Sequence, residues 1–551
     1  MLGKPEISHG ERDAREDLAR ADRERDELNR IGIALSSTRD IGKLLEMILS
    51  KAREITNADA GSLYLVENSE TNGSPSGQYE RRLRFKYTQN ASRQFPFTEG
   101  TMPLAEDSMA GYAALHGEIV ALDDVYAIPP DRPYRFNPRF DQETGYRTRS
   151  LLTLPMKNSR GEVTGVVQLL NCKRDWEARL LAPEDFDREV QPFSPRSAHL
   201  AESLASQAAV AYENSRLYHD IEVLFEGFVK ASVTAIEQRD PTTSGHSTRV
   251  AAMTLGLAEA VNRVPRGPYG QTRFTAEQLK EIRYAALLHD FGKVGVREEV
   301  LTKAKKLHPS EITILHHRFD YIRKDLEAEC AQKKIDAMLA HGPQAARKEF
   351  AQIDEEYRRR QAELDESLHL ILQLNEPTVL REGSFERLVD IARKTYRDPK
   401  GREFPLLTPD EVSSLSVPQG SLNDDERRQI ESHVTHSFNF LIQIPWTSEI
   451  KYIPWIARAH HEKLNGTGYP NRLRGDEIPV QAKMMSICDI FDALSAVDRP
   501  YKKAVSIERA LDILDMSVRD RDLDSDLFKI FLEARIYELT NGESPAVALV
   551  T

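Results

Sequence analysis

Cysteine is scarce in this sequence, and the few cysteines that occur are far apart. The chain has 551 residues and only 3 cysteines, Cys172, Cys330 and Cys488. This spacing excludes a disulfide framework and a zinc site built from cysteine pairs. Free thiols are typical of a reducing compartment, so we expect a cytoplasmic protein.

Long apolar runs and an excess of positive charge are also missing. No segment reaches the roughly 18 consecutive apolar residues of a membrane span, and no apolar signal segment opens the chain, so we expect no membrane partner. The net charge of −12 argues against binding to a nucleic-acid polymer. An anionic substrate would therefore need positive charge gathered locally, from metal ions and a few Lys or Arg side chains.

The length and the changing residue pattern predict a multidomain α+β protein. A chain of 551 residues is expected to form two or three domains. The second half reads as all-α, and the first half reads as α/β. The predicted segments are a charged N-terminal helix at 1–27, an α/β domain at 28–199, a linker helix at 200–238, a helical domain at 239–535 and a C-terminal tail at 536–551.

Alternating apolar residues predict a β-hairpin in the α/β domain. The strands are Ser150–Met156 and Gly165–Asn171, and the turn lies at Asn158–Gly161. With the alternating segments near Leu63 and Leu83, this run resembles a GAF domain, a small-molecule sensor fold. The resemblance implies a possible small-molecule ligand.

The nucleotide-binding motif of this resemblance is incomplete. GAF domains that bind cyclic nucleotides carry an Asn-Lys pair, followed by a Phe and an acidic residue. Here Asn171 precedes Cys172, and Ser197 follows Phe193 where an acid is expected. A structural or dimerising GAF domain is therefore the alternative to one that binds a ligand.

The linker helix shows spacings of three and four residues between apolar positions. That spacing predicts a coiled-coil seam, and hence a parallel homodimer that carries a signal between the domains. The alternative is one amphipathic helix packed on its own domain. The predicted seam residues are Leu204, Ala211, Asn214, Tyr218, Ile221, Phe225 and Phe228.

Adjacent histidines precede a glycine-rich turn in the helical domain. His460 and His461 lead through Gly466 and Gly468 to Tyr469-Pro470. Imidazole is the commonest metal ligand near neutral pH. Glycine permits close approach of the backbone to a ligand. Taken alone, the segment could equally be a helix end with two incidental histidines.

Further motifs occur elsewhere in this domain. An apolar helix ends in His289-Asp290 and is followed by Lys293, His246 follows Gly245, and Asp489 lies in a later apolar segment. In this order the motifs resemble the HD-GYP family of cyclic dinucleotide phosphodiesterases, a branch of the HD phosphohydrolases. The resemblance covers about residues 225–303 and 420–515.

The resemblance implies a metal-dependent enzyme, with roles for named residues. Asp290 and Lys293 would be catalytic, and Asp290 would bridge the ions. The implied metal ligands are His246, His289, Asp290, His433, His460, His461 and Asp489. The implied substrate-binding residues are Lys293, Gly468, Tyr469, Pro470, Asp492, Arg499 and Lys502.

A long insertion is predicted to interrupt the helical domain at 304–418. The family pattern places a ligand histidine eleven residues after a Lys-Leu or Ser-Leu helix start. Counted from Leu307 that position is Arg318, whereas counted from Leu422 it is His433. The first helix start is therefore interpreted as a decoy, and the insertion as a helical lid or an arm for a protein partner.

Imidazole and carboxylate ligands suit iron or manganese, or else zinc. Family members with three ions carry a Glu four residues before the first ligand histidine, where this chain has Thr242, so we expect two ions. Asp240 is a poor substitute because it precedes a proline. Two further departures from the family pattern are Asn465, in place of the usual Asp, and Cys488, in place of a small residue.

The function implied by the resemblance is hydrolysis of cyclic di-GMP to linear pGpG or GMP. Two alternatives remain open at the level of sequence. One is hydrolysis of a hybrid cyclic dinucleotide. The other is a non-catalytic signalling scaffold, which the complete set of ligand residues disfavours.

Overall fold

One antiparallel sheet of seven strands organises the first part of the chain. The computed structural model describes residues 22, 25–70, 79–240, 244–379, 383–496 and 504–539. The sheet order is β3-β2-β1-β6-β5-β4, and β7 pairs with β6. The strands are β1 (Ala58–Glu70), β2 (Tyr79–Asn90), β3 (Gly100–Pro103), β4 (Val120–Leu122), β5 (Leu151–Lys157), β6 (Val163–Lys173) and β7 (Val190–Gln191).

The predicted hairpin is β5 and β6, and its turn is stabilised by one side chain. The Asn158 Oδ1 atom accepts hydrogen bonds from the backbone N–H groups of Arg160 and Glu162. Gly161 follows at a φ of 79°, which glycine adopts without steric cost. An Asn-to-Gly turn of this kind reverses the chain tightly enough to pair the two strands.

Helices cover both faces of this sheet. Leu63 and Leu65 of β1 belong to a core that includes helical residues, whereas Tyr64 and Val66 pack on the opposite face. This alternation follows from the two-residue period of a strand. The helices of this part are α1 (25–37), α2 (Ile41–Thr56), α3 (Met109–His116), α4 (Arg139–Thr144) and α5 (Pro183–Glu189).

The first half of the linker helix α6 (Pro195–Arg239) does not present the predicted coiled-coil seam. Leu204 and Ala211 are buried in the core of the sheet domain, so those two seam assignments are wrong. Their burial means that the first half of α6 is an amphipathic helix on its own domain. Among the described residues of the second half, the large apolar side chains that are exposed are Leu217, Tyr218, Ile221, Val223, Leu224 and Phe228.

The chain divides into two compact units, Met1–Phe225 and Glu226–Thr551. Beyond α6, helices build the second unit, with α7 packed against α8 and α15, and α13 packed against α14. No described helix combines the length and apolarity needed to cross a membrane. The helices are α7 (His246–Arg263), α8 (Ala276–Leu288), α9 (Glu298–Leu301), α10 (Pro309–Leu374), α11 (Ser384–Ala392), α12 (Pro409–Leu415), α13 (Asp424–Leu441), α14 (Ile453–Arg458), α15 (Val480–Ser495), α16 (Ile507–Arg519) and α17 (Ser525–Glu533).

The interval predicted as an insertion, 304–418, contains a long helical hairpin. Helix α10 breaks at Gly342, whose φ of 72° and ψ of 164° are not helical. The halves on either side are joined by ion pairs, Arg323–Asp365 at 2.8 Å and Arg360–Glu329 at 2.7 Å. The hairpin shares a core with the segments that flank it, and this core is formed by Leu307, Leu315, Phe319, Leu326, Leu364, Leu368, Leu370, Ile371, Leu374, Leu388, Ile391, Leu406, Leu407 and Leu415.

Prolines in the interval 377–409 predict loops, but the structure contains α11 and a two-stranded sheet there. The strands are β8 (Thr395–Arg397) and β9 (Glu403–Pro405). Pro405 ends an edge strand, and Pro409 is at the first position of α12. Both are positions where the missing N–H group costs nothing, so these prolines do not exclude regular structure.

The predicted boundary of the C-terminal tail is too early. Residues Ile536–Glu538 form a 3₁₀ turn, and Ile536 is buried. A Cβ atom added to Gly256 of α7 would lie 2.6 Å from Leu539, so Leu539 packs closely on that helix. Residues 540–551 lie outside the described part.

Candidate metal centre

Three buried histidines in the second unit are oriented in the same way. The Nδ1 atoms of His289, His433 and His460 each lie 2.5–2.7 Å from the backbone carbonyl oxygen three residues earlier. A carbonyl oxygen can only accept, so each Nδ1 atom carries the proton and each Nε2 atom has a free lone pair. All three Nε2 atoms are buried without a hydrogen-bond partner. Unpaired buried acceptors are costly, and a metal ion would satisfy all three.

Two carboxylates lie among these imidazoles. The Asp290 Oδ1 atom is 3.3 Å from His433 Nε2, and its Oδ2 atom is 3.5 Å from His289 Nε2. The Asp489 Oδ1 atom is 3.1 Å from His246 Nε2. Asp290 therefore reaches histidines on both sides of the site, as a bridging ligand would.

Seven side chains form three overlapping groups with metal-binding chemistry. Within each group the candidate ligand atoms lie within 4.8 Å of one another. Nitrogen and carboxylate oxygen together are a donor set that suits transition metals. The groups are His433, His460 and His461; His246, His289 and Asp290; and His289, His460 and Asp489.

The pKa shifts of His460, His461 and Asp290 favour the protonation states that metal binding requires. Burial lowers the pKa of His460 well below its usual value, and burial lowers the pKa of His461 to about 4. Burial alone would raise the pKa of Asp290, but Lys293, His289 and His433 together outweigh it and hold that pKa well below its usual range. Most imidazoles here are therefore neutral, while the carboxylate is ionised.

His246 differs from His289, His433 and His460 because its Nδ1 atom contacts a carboxylate instead of a backbone carbonyl. Its Nδ1 atom lies 2.8 Å from Asp492 Oδ2, and both Asp492 oxygens also accept from Arg249. Burial lowers the pKa of His246, but hydrogen bonds to Asp489 and Asp492 outweigh it and raise that pKa to about 9. A metal ion at Nε2 would displace this proton, so metal affinity should rise as the pH rises towards 9.

These contacts give Asp492 a different role from the predicted one. The residue is buried, and both of its oxygens are occupied by His246 and Arg249. The family resemblance implied that it binds substrate, on the same helix face as Asp489. The structure instead places it behind His246, where its contact with the Nδ1 atom orients the imidazole.

Asp492→Asn is expected to weaken metal binding by about 10- to 100-fold, because a carboxylate behind a ligand histidine orients it and increases its basicity. The measurement is metal titration of the chelated protein, followed by calorimetry. Asp520→Asn, which removes a carboxylate at the exposed end of α16, is the control and should bind as the parent does. Unchanged affinity in Asp492→Asn would contradict the assignment.

Lys293 lies at the edge of the cluster between two carboxylates. Its Nζ atom is 2.9 Å from Asp290 Oδ2 and 3.1 Å from Asp240 Oδ2. Burial lowers the pKa of Lys293, but the two carboxylates outweigh it and raise that pKa. An ammonium group has three donors, so one N–H remains after both contacts.

Glycine and serine bring the His289-Asp290 segment against α13. A Cβ atom added to Gly292 would lie 1.9 Å from the His433 carbonyl oxygen, so no larger residue fits. The Ser437 hydroxyl accepts from Gly292 N–H at 2.8 Å and donates to the His289 carbonyl at 2.6 Å. Ser437 was missed in the sequence because a serine in an amphipathic helix carries no distinctive signal.

The turn that ends in Tyr469-Pro470 is held by a residue that the sequence analysis overlooked. Glu462 is buried, and its carboxylate accepts from the backbone N–H groups of Asn471 at 2.6 Å and Leu473 at 2.9 Å. A Cβ atom on Gly468 would lie 2.4 Å from the Lys463 backbone nitrogen. In the sequence, the available signal for Glu462 was its position directly after His460 and His461.

Comparison with known families agrees with this geometry. A GAF domain model matches residues 40–212, and two HD domain models match residues 243–372 and 405–527. This chain carries a GAF domain and an HD domain. The predicted resemblance to HD-GYP proteins with an N-terminal GAF domain is confirmed, as is the predicted fold class. HD domains are metal-dependent, and the clusters described above are the candidate metal sites.

Parts of the chain are also similar to bacterial proteins named as cyclic dinucleotide phosphodiesterases. The chain is 42% identical over 96 residues, 17% of its length, to 3′3′-cGAMP-specific phosphodiesterase 3 of Vibrio cholerae. It is 29% identical over 163 residues, 30% of its length, to a cyclic di-GMP phosphodiesterase of Pseudomonas aeruginosa. The matches span 20% and 34% of those two proteins.

Asn465 stands where the family usually has Asp, and its contacts explain this difference. The Asn465 Nδ2 atom donates to Asp522 Oδ1 at 2.7 Å, and Thr467 N–H donates to Asn465 Oδ1 at 2.9 Å. An aspartate could not donate to Asp522 and would face it as a like charge. Cys488 is fully buried on α15, as expected for a core substitution.

Some predicted residues of the HD domain lie apart from the cluster or outside the described part. His316 and His317 are exposed on α10, whereas His433 is buried in the cluster. Arg499, Lys502 and Thr242 lie outside the described residues, so their predicted roles stay predictions.

Proposed function

We propose that this chain is a metal-dependent phosphodiesterase that hydrolyses cyclic di-GMP to linear pGpG or GMP. The observation that carries the proposal is the set of three buried, unpaired Nε2 atoms, two of which lie beside Asp290. Structural histidines satisfy both ring nitrogens, so this arrangement favours a metal centre over a structural core. It also disfavours a non-catalytic scaffold.

The proposed centre holds two ions, iron or manganese, with zinc as a further possibility. His246, His289 and Asp489 would hold one ion, His433, His460 and His461 would hold the other, and Asp290 would bridge. Such ions polarise a phosphodiester, activate water near neutral pH and stabilise the leaving oxygen. Lys293 would donate its remaining N–H to a phosphate oxygen while holding Asp290 in place.

The turn from Gly466 to Pro470 would form one wall of the substrate pocket. The Tyr469 ring lies 4.9 Å from the His461 ring, so a substrate against Tyr469 would also reach the metal ligands. Aromatic rings stack on bases without strong sequence preference. Gly468, Tyr469 and Pro470 are therefore proposed to contact a guanine and its phosphate.

A hybrid cyclic dinucleotide is the second candidate substrate. It is favoured by the 42% identity to an enzyme named for 3′3′-cGAMP, although that match covers 17% of this chain. The test is turnover by the full chain, loaded anaerobically with Fe(II) or Mn(II), of cyclic di-GMP and 3′3′-cGAMP in parallel. A higher kcat/KM for cyclic di-GMP supports the proposal, a higher value for 3′3′-cGAMP selects the alternative, and no turnover of either contradicts both.

We further propose a homodimer through the exposed stripe of α6 from Val210 to Phe228, and we propose that the GAF domain modulates the enzyme through this helix. Val210, Leu217, Ile221, Leu224 and Phe228 are exposed and apolar. With Asn214, they are separated by alternating four and three residues, which is the spacing of a coiled-coil seam. This register uses Leu217 and Leu224, where the sequence analysis used Tyr218 and Phe225.

Leu224→Glu is expected to dissociate the dimer at micromolar concentration. Burying a leucine contributes about 1.5–3 kcal/mol per chain, so the loss corresponds to at least about a hundredfold in dimer affinity. The measurement is light scattering after gel filtration, together with the turnover rate. Val223→Glu changes an equally apolar, exposed neighbour outside the seam, and should remain dimeric. Dissociation by Val223→Glu alone would contradict the register.

The free cysteines of the described part, two of them buried, fit activity in the cytoplasm. A protein partner for the helical hairpin at 304–418 and a small-molecule ligand for the GAF domain are both proposed without an assigned chemistry.

A further inference from the structure

Asp522 contacts the glycine-rich turn from the loop between α16 and α17. Its Oδ2 atom accepts from Lys463 Nζ at 2.6 Å, and its Oδ1 atom accepts from Asn465 Nδ2 at 2.7 Å. The backbone N–H of Leu464, between these two residues, donates to the Asp522 carbonyl oxygen at 3.2 Å. Three consecutive residues directly before Gly466 are therefore hydrogen-bonded to one residue of a distant loop.

The loop that carries Asp522 is itself fixed by contacts with other parts of the domain. The Asp522 N–H donates to the Ser517 carbonyl oxygen at 2.8 Å. Two positions later, the Asp524 Oδ2 atom accepts from the Tyr269 hydroxyl at 2.7 Å and lies 3.7 Å from Lys483 Nζ on α15. Because the loop is bonded to α16, to α15 and to the segment before α8, it can hold the turn in one position.

The Asn465 side chain and Asp522 are chemically complementary. The Asn465 Oδ1 atom accepts from the Thr467 N–H at 2.9 Å and from the Thr467 hydroxyl at 2.7 Å. A backbone N–H can only donate, so Oδ1 faces Thr467 and Nδ2 faces Asp522. An ionised carboxylate can only accept. The turn is therefore closed by a residue that accepts on one side and donates on the other.

These bonds reach the proposed substrate wall through tight backbone packing. A Cβ atom on Gly468 would lie 2.4 Å from the Lys463 backbone nitrogen, so Gly468 packs directly on a residue that Asp522 holds. The Tyr469 N–H donates to the His461 carbonyl oxygen at 3.2 Å, and the two rings lie 4.9 Å apart. A shift of Lys463 would therefore move the wall relative to a candidate metal ligand, and a misplacement of about 1 Å can cost about a hundredfold in rate.

We propose that Asp522 is a positioning residue for the cyclic dinucleotide. Through Lys463 and Asn465 it holds the turn at the distance from the metal cluster that the substrate requires. The inference rests on the proposed function. A cyclic dinucleotide contacts both the turn and the metal centre, whereas a small phosphodiester bound at the metal centre alone does not use the turn. Loss of the Asp522 contacts should therefore act on KM for the cyclic dinucleotide.

The test exchanges the two side chains. Asn465→Asp places a second carboxylate against Asp522. Asp522→Asn leaves one of two donors, Lys463 Nζ or Asn465 Nδ2, facing an amide NH₂ group, whichever way the new amide is turned. In the double variant Asn465→Asp/Asp522→Asn, the new amide accepts from Lys463 and donates to the new carboxylate. Every donor again meets an acceptor, and the net charge of the pair is that of the parent.

The measurements are kinetics of the full chain, loaded with Mn(II), on cyclic di-GMP and on bis(p-nitrophenyl) phosphate, together with metal content and thermal unfolding. We expect each single change to raise KM for cyclic di-GMP about tenfold to a hundredfold, the effect of losing a hydrogen bond to a charged group. The double variant should return KM to within about twofold of the parent, because residues in contact are coupled. The loss on the small diester should be much smaller than the loss on cyclic di-GMP.

Asp512→Asn is the matched control, because it removes an exposed carboxylate from α16 outside the loop, and it should match the parent on both substrates. An unchanged KM for cyclic di-GMP in Asp522→Asn, an equal loss on both substrates, or a double variant as impaired as the single variants would overturn the inference. If a single variant does not fold, the KM of the double variant decides by the same criterion.

Failure of the proposed function is distinguishable from failure of this inference. It would appear in the parent chain as turnover of the small diester without turnover of any cyclic dinucleotide. Failure of the inference would appear only among the variants, in a parent chain that hydrolyses a cyclic dinucleotide.

Discussion

Asp290→Asn is expected to abolish phosphodiester hydrolysis while the chain remains folded. Asparagine keeps the shape of the side chain but removes the charge that lies between His289 and His433. A metal centre contributes several kcal/mol of charge stabilisation in the transition state, and losing about 4 kcal/mol lowers kcat about a thousandfold. The measurement is turnover of cyclic di-GMP alongside the metal content of the purified chain.

The same experiment tests the number of ions. We expect two ions per parent chain after anaerobic loading and at most one in Asp290→Asn, because a bridging carboxylate serves both. Asp365→Asn, which removes a half-exposed carboxylate on α10, is the control and should match the parent in metal and rate. Three ions per parent chain, all lost on site mutation, would contradict the two-metal proposal, and full activity of Asp290→Asn would contradict the centre itself.

His433→Ala is expected to lose metal and activity, whereas His317→Ala is expected to be nearly silent. The His433 imidazole is buried, with its free Nε2 atom 3.3 Å from Asp290. His317 is exposed on α10, within the interval 304–418. Removing one of three ligands to an ion should lower its affinity by well over tenfold, and turnover should fall with it.

The paired variants are measured by metal analysis and by the rate on cyclic di-GMP, with thermal unfolding as a check on the fold. Since both changes remove an imidazole from a helix, any general effect of the substitution appears in both. Loss of activity in His317→Ala with an active His433→Ala would place the interruption of the domain elsewhere.

Local patterns predicted the elements of the fold well where one face is apolar. The hairpin β5–β6 is confirmed: the two strands pair antiparallel, and the turn between them contains Asn158 and Gly161. In the first half of α6, the stripe predicted as a seam packs on its own domain. Apolar spacing along a helix does not reveal whether a stripe meets its own domain or another chain, and Leu204 meets its own core.

In the candidate site, too, the sequence pattern predicted the position of a residue but not its side-chain contacts. Asp492 was placed on the correct helix and the correct face, one turn from Asp489. Its partners Arg249 and His246 lie on α7, more than two hundred positions earlier in the chain, so the sequence pattern gave no sign of these contacts. Ser437 was missed for the same reason, because its partners are backbone groups of His289 and Gly292, which only packing brings near.

The sequence by itself determined which residue types this protein has for its chemistry, and in what order they occur. Histidines, aspartates and a glycine-rich turn, in a chain with few cysteines and excess negative charge, limit the candidates to metal-assisted chemistry on an anion. Only the tertiary structure decided which nitrogen of each imidazole is free, which carboxylate lies between the two histidine groups and which cations already have partners. These properties depend on distances of about 3 Å between residues far apart in the chain, and such distances arise only when the helices pack.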